Sequence, residues 1–170
     1  MRALVWIVED TWQATVAQSA TYLPAEADIT LLHVADTEAE AVVRAARHGL
    51  LGRHTPDHAQ KDALRAISEQ AAEELLADAQ RTLGRPARCE ARRGRVEREV
   101  VAAAEDMDIL ILARDGDRQH LGPRSIGPAA RFVIDHAPCR VLLIWPDLAP
   151  SLTTIPPPPG KPPPPPTQPR

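Results

Sequence analysis

Short apolar runs and stretches of helical spacing alternate along this chain. Five runs read as strands: residues 3–8 (ALVWIV), 28–34 (DITLLHV), 86–92 (PARCEAR), 107–113 (MDILILA) and 141–145 (VLLIW). The first, fourth and fifth are apolar with no helical spacing, which predicts strands covered on both faces. The third alternates Ala87, Cys89 and Ala91 with Arg88 and Glu90, which predicts a less buried strand near a sheet edge. The stretches between have the other period. Val16, Ala20 and Leu23 share one face of a helix over 12–23, with Thr11 or Asp10 as its cap and Pro24 as its stop. Leu64, Ile67, Ala71, Leu75 and Ala79 predict a long helix over 57–83 that ends at Gly84. Gly94 turns the chain into a helix over 96–106, with Val96, Val100 and Ala103 inward. Pro128 suits a first helical position, where a missing N–H costs little, and the helix over 129–136 stops before Pro138.

Strand and helix in alternation predict an α/β fold with a five-stranded, parallel, doubly wound sheet. In such a sheet the loop after residue 113 lies at the carboxyl edge, where open α/β folds bind ligands. That loop carries Gly116, Gly122 and Gly127, with Arg114, Arg118, His120 and Arg124 between them. Residues 36–60 fit the alternation least. A helix over Thr37–Leu50 is broken by Gly49, Gly52 and Pro56, and the segment reads either as a flap over the sheet's carboxyl edge or as an ordinary variable insertion.

Composition narrows the picture. The length of 170 residues suits one domain with a core, and aromatics are only 3%, so aliphatic side chains must do the packing. A net charge of −3 argues against a general nucleic-acid binder. With no run of about 18 apolar residues, no membrane span is expected, and the start of the chain lacks a signal-peptide layout. Two cysteines, Cys89 and Cys139, make no disulfide scaffold, so a cytoplasmic location is expected. From Leu148 the composition changes: prolines fill 156–159 and 162–166, around Gly160 and Lys161. Residues 1–147 are therefore read as the domain and 148–170 as a proline-rich, disordered tail that favours polyproline II. The tail reads as a spacer or as a ligand for an aromatic groove on a partner.

Candidate chemistry is confined to the crevice. A glycine loop lets backbone N–H groups approach phosphate oxygens, and the helix that follows adds partial positive charge. His48, His54 and His58 fall within eleven residues, but glycines between them leave the geometry unfixed and no metal site is expected. His33 reads as a packed strand histidine and Cys139 as an inert buried thiol. No nucleophile elbow, Walker A loop or Cys-x-x-Cys pair occurs, so no catalytic residue is assigned, and slow ATP hydrolysis is the weakest of the readings.

Several motifs resemble those of the universal stress protein family. They are the DILILARDG strand and loop, the helix ending His136-Ala137-Pro138-Cys139, the final apolar strand, and Leu31-Leu32-His33-Val34 closing the second strand. The resemblance implies strand order 3-2-1-4-5, with the loops after strands 1 and 4 meeting at the switch point. In members that bind ATP, the loop runs Gly, two residues, Gly, nine residues, Gly, then Ser or Thr. Carried over, the glycine positions are Ala113, Gly116 and Gly127. The acidic residue after strand 1 is Glu9 or Asp10, and Val34 borders the adenine. Three positions depart from the pattern: Ala113 replaces a glycine, the interval from Gly116 to Gly127 is one residue longer, and Pro128 stands in place of Ser or Thr. Ser125 with Arg114, Arg118 and Arg124 could substitute for the lost phosphate donors, while Asp115 and Asp117 bring opposing charge. The resemblance thus implies a stress-response regulatory module that binds adenine nucleotide (ATP, with Mg²⁺). It also implies a homodimer paired through the edge strand Val141–Trp145, acting on a protein partner. The alternative is a dimeric interaction scaffold of the same fold with a degenerate, nucleotide-free loop.

Overall fold

The computed structural model describes residues 1–37 and 58–157, and of the side chains within 58–64 only those of Asp62 and Ala63. In chain order the elements are β1 (Arg2–Trp6), α1 (Trp12–Tyr22), β2 (Asp28–Asp36), α2 (His58–Leu83), β3 (Arg88–Gly94), α3 (Val96–Ala103), β4 (Ile109–Ala113), α4 (Pro128–His136) and β5 (Arg140–Ile144). Short 3₁₀ turns cover Pro123–Ser125 and Leu152–Thr154. The strands form one parallel sheet in the order 3-2-1-4-5. Residues 38–57, which make up most of the expected helix over 37–50 and of the 36–60 flap and include His48 and His54, fall outside the described residues, and His58 falls outside the described side chains. The tail from 158 onward also falls outside the described residues.

Period-two alternation in the central strands explains why both faces are covered. Ala3, Val5 and Ile7 with Ile29, Leu31 and Ile111 pack under α1 and α2, through Val16, Leu23, Leu76, Ala79 and Leu83. Leu4, Trp6, Leu32, Val34, Leu110 and Leu112 point the other way, onto Val100 and Ala103 of α3 and Ala130 and Val133 of α4. Each fully buried aliphatic side chain stabilises the fold by roughly 1.5–3 kcal/mol relative to an exposed one. β3 is an edge strand with no fully buried residue, as its alternation predicts, and β5 is the opposite edge.

Two helix faces differ from expectation. In α2 the buried stripe is Ala72, Leu76, Ala79 and Leu83, while Ile67 is 64% exposed and Ala71 is exposed. Of the expected row, Ala79 is buried and Leu75 packs against the core, while Ile67 and Ala71 lie on turns that face away from the sheet; the side chain of Leu64 is outside those described. In α1 Ala20 is exposed, and the inward face is Thr15, Val16 and Ser19. The two hydroxyls are satisfied inside the helix, Thr15 donating to Thr11 O (2.9 Å) and Ser19 to Thr15 O (2.7 Å). Thr11 is the N-cap residue of α1, but no side chain caps its N–H groups. Gly84, with φ of +69°, closes α2 in the left-handed conformation expected of a stop glycine.

Candidate functional site

The strand order reverses between β1 and β4, so the crevice above them is bounded by Val8–Thr11 on one side and by Arg114–Gly127 on the other. Glu9 and Asp10 are exposed on the first side, and Val34 is buried near the end of β2. The topology thus brings Glu9, Asp10, Val34, Ala113, Gly116 and Gly127 to one edge of the sheet.

The second side is a folded loop. Arg114 N–H continues the ladder to Ile144 O (2.9 Å). The chain then pairs with itself, Gly116 N–H to Ser125 O (3.2 Å) and Asp117 N–H to Arg124 O (2.8 Å). A Cβ on Gly116 would lie 2.2 Å from Arg124 O, so this self-pairing requires glycine there. At the far end, Gly122 adopts φ of +134° and leads into the turn at Pro123–Ser125. Asp117 Oδ1 accepts from Gln119 N–H (2.8 Å), and Asp117 Oδ2 meets His120 Nδ1 (2.9 Å). The Gln119 N–H bond and then His120 hold the Asp117 carboxyl below its ordinary range.

The polar groups that suit a phosphate are turned onto the protein itself. Ser125 is 1% exposed, donates its hydroxyl to Gly122 O (2.7 Å) and accepts from Arg114 Nη1. The Arg114 guanidinium also lies over the Trp145 ring, 4.6 Å from its centroid. Arg118 reaches across the crevice, donating to Asp10 O (3.3 Å) and pairing with Asp147 at 3.5 Å. Arg124 is exposed.

The mouth of α4 is the decisive detail. The first four N–H groups of a helix have no partner within it, and here those positions are Gly127, Pro128, Ala129 and Ala130. Pro128 has no N–H. Gly127 N–H is donated to Asp115 Oδ1 at 2.7 Å. A Cβ on Gly127 would sit 2.8 Å from Asp115 Oδ2, so the carboxylate is pressed against the glycine backbone. The loop therefore carries its own anion at the helix N-terminus, where negative charge is favoured. Ala113 is buried at the end of β4, paired in register with Ile144.

Sequence reasoning registered Asp115 only as opposing charge. Its role as an internal ligand depends on a contact across twelve residues of loop that no periodicity reports. Trp145, at the end of the edge strand, offers its ring as the shelf for Arg114, a contact that no spacing in the sequence reports. Cys89 is exposed and Cys139 is half-buried rather than buried; desolvation pushes both thiols up, and the charge of Asp108 pushes Cys139 up further. Among the described residues no group of three or more His, Cys, Asp or Glu is placed to hold a metal ion. No described helix is long and apolar enough to cross a membrane.

Known proteins place this architecture. The hypothetical protein MJ0577 has a similar structure, with TM-score 0.59 at 20% identity over 85% of this chain and 94% of that one. UspA from Lactobacillus plantarum is similar with TM-score 0.53 at 20% identity, covering 85% of this chain and 97% of that one. A universal stress protein in complex with cAMP gives 0.54 at 12% identity, covering 86% and 98%. No curated protein matches the sequence. The family model of the universal stress proteins matches residues 9–144, which span β1's following loop through β5, and so the chain belongs to the universal stress protein family.

Proposed function

We propose that this chain is a stress-response regulatory module of the universal stress protein type that works as a homodimeric interaction scaffold, with its nucleotide crevice closed from within. The observation that carries this reading is Asp115 Oδ1 on Gly127 N–H at 2.7 Å. A phosphate entering the mouth of α4 must expel that carboxylate. A hydrogen bond to a charged group contributes about 1.5–3 kcal/mol, so its loss weakens phosphate binding by about ten- to a hundredfold. Pro128 removes a second donor, and Arg114 and Ser125 are engaged with each other.

The dimer surface in this reading is the edge strand Val141–Trp145. Val141, Leu142 and Leu143 are half-buried in the single chain, and β5 lies at the sheet edge. An apolar edge of this kind pairs with another copy. A Lys at Leu142 would place charge on that edge. Sedimentation velocity should then show the Leu142→Lys chain as a folded monomer and the parent as a dimer. A monomeric parent would contradict the scaffold reading. The setting is cytoplasmic, with a protein as the downstream partner.

A second reading has its own observation. Arg124 is exposed and Arg118 is about one-third exposed, and both stand on the loop that faces Asp10 and the end of β2 at Val34. With Asp115 swung out, Gly116, Gly127 and these arginines would meet the phosphates of ATP with Mg²⁺, Ser125 would add its hydroxyl, and Val34 would border the adenine. The cAMP complex of a protein with the same fold makes this the natural competitor. Calorimetric titration with ATP and Mg²⁺ separates the two. Micromolar binding to the parent chain, weakened by Arg124→Ala, would establish the ATP reading. No heat up to millimolar ATP, with a folded dimer, would establish the scaffold.

A further inference from the structure

The outer face of α4 carries a groove of about 450 Å³, lined by Ile126, Pro128, Arg131, Phe132, Asp135 and His136. Its wall is layered. The Phe132 and His136 rings stack at 3.9 Å between centroids and 9° between planes, and the Arg98 guanidinium lies 4.7 Å from the Phe132 centroid. Imidazole and guanidinium cannot share one face of the same ring at those distances. The order is therefore guanidinium, phenyl, imidazole, with the outer imidazole face toward solvent, and His136 is exposed. His136 Nδ1 lies 2.8 Å from Phe132 O, and since a carbonyl only accepts, Nδ1 carries the proton and the ring is held in place.

The chain itself brings a ligand of the right chemistry to this groove. After β5 it returns to the crevice loop, where Leu121 N–H donates to Thr154 Oγ1 (3.0 Å). Two residues beyond Leu121, Pro123 O accepts from Arg131 Nη2, and the same nitrogen donates to Ile126 O at 3.0 Å. The anchor of the tail and the rim of the groove are thus joined through one short turn. Residues 158–170 follow, including five consecutive prolines at 162–166. At about 3.1 Å per residue in polyproline II they span roughly 40 Å. The whole of α4 is only about 14 Å long at 1.5 Å per residue. Proline-rich segments dock on aromatic-lined grooves with little loss of entropy. Lys161 gives the segment a positive charge, and Asp135 is the one carboxylate among the residues that line the groove, beside Arg131.

The other aromatic rings offer no equal site. Trp6 is buried, Trp12 packs against the core and Trp145 carries Arg114. Tyr22 is exposed but sits at the end of α1, at the amino edge of the sheet, away from Leu121. We propose that the groove on α4 is an intramolecular docking site for the chain's own proline-rich segment 158–170. The claim is independent of what enters the crevice.

The test compares the full chain with one ending after Pro157, by amide NMR of Ile126 and Ala129–His136. Removal of the tail should shift these amides and leave those of α1 in place. A peptide of residues 156–170 added to the shortened chain should return them saturably toward the full-length positions. The same peptide should leave the shortened chain bearing His136→Ala unmoved. Identical α4 amides with and without the tail would overturn the proposal. So would tail-dependent shifts that grow with protein concentration, because those belong to contacts between copies.

Discussion

The two sides of the switch-point crevice use their polar residues in opposite ways. On the β1 side, Glu9 and Asp10 are exposed, and the only bond described to Asp10 is made by its backbone carbonyl. On the β4 side, Arg114, Asp115, Gly116, Asp117, Ser125 and Gly127 are tied to one another or to adjacent backbone. A glycine-bearing, arginine-rich loop thus need not turn its donors outward to an anion. Glycine also permits a loop to fold on itself, and an internal carboxylate can take the donors that a phosphate would take.

Substitutions should therefore be felt on the β4 side and not on the β1 side. The largest effect is expected for Gly116→Val. Its Cβ would overlap Arg124 O, and overpacking of this kind costs about 1–3 kcal/mol. Thermal unfolding should show it as a fall in Tm of about 2–4 °C per kcal/mol for a chain of this size. The same clash disqualifies this substitution as a probe of nucleotide binding, since the loop is lost whatever its ligand. Ser125→Ala comes next. It removes the acceptor of Arg114 and the donor to Gly122 O, for about 1–2 kcal/mol by denaturant titration. Arg118→Ala should cost less than about 1 kcal/mol, because its pairing with Asp147 is solvent-exposed. Asp10→Ala should stay within about 0.5 kcal/mol of the parent. A larger cost at Asp10 than at Ser125 would contradict this difference between the two sides.

The smallest effect is with pH. The folded-state carboxyl of Asp117 lies below its unfolded value of about 3.9, so its contribution to loop stability is fully present above that value. It is lost as pH falls through the lower folded value. The protection factors of the Gln119 and His120 amides, each rate taken relative to its intrinsic rate at the same pH, should fall in that acid window. The Asp117→Asn chain should show no such acid step.

The sheet was legible in the sequence because apolar runs such as ALVWIV and ILILA have no polar period, and the family motifs set the strand order. The edges were legible too: the Arg88–Gly94 alternation reports an outer strand. The register of α2 was legible only in part: Leu75 and Ala79 meet the core as their spacing predicts, but Ile67 and Ala71 of the same row are exposed. Helical spacing identifies a face but not which neighbour it meets. At the crevice, the location was readable from Gly116, Gly127 and the strand pattern, and the departures at Ala113 and Pro128 were visible. The capture of Gly127 N–H by Asp115 was not, because it depends on how a thirteen-residue loop closes rather than on any local propensity.

Closure of the phosphate site by Asp115 can be read by titrating the parent chain and its Asp115→Ala variant with ATP and Mg²⁺ side by side. No binding to the parent is expected below about millimolar, with a gain of about ten- to a hundredfold in the variant, as Gly127 N–H is released. Equal micromolar binding to both chains would contradict it.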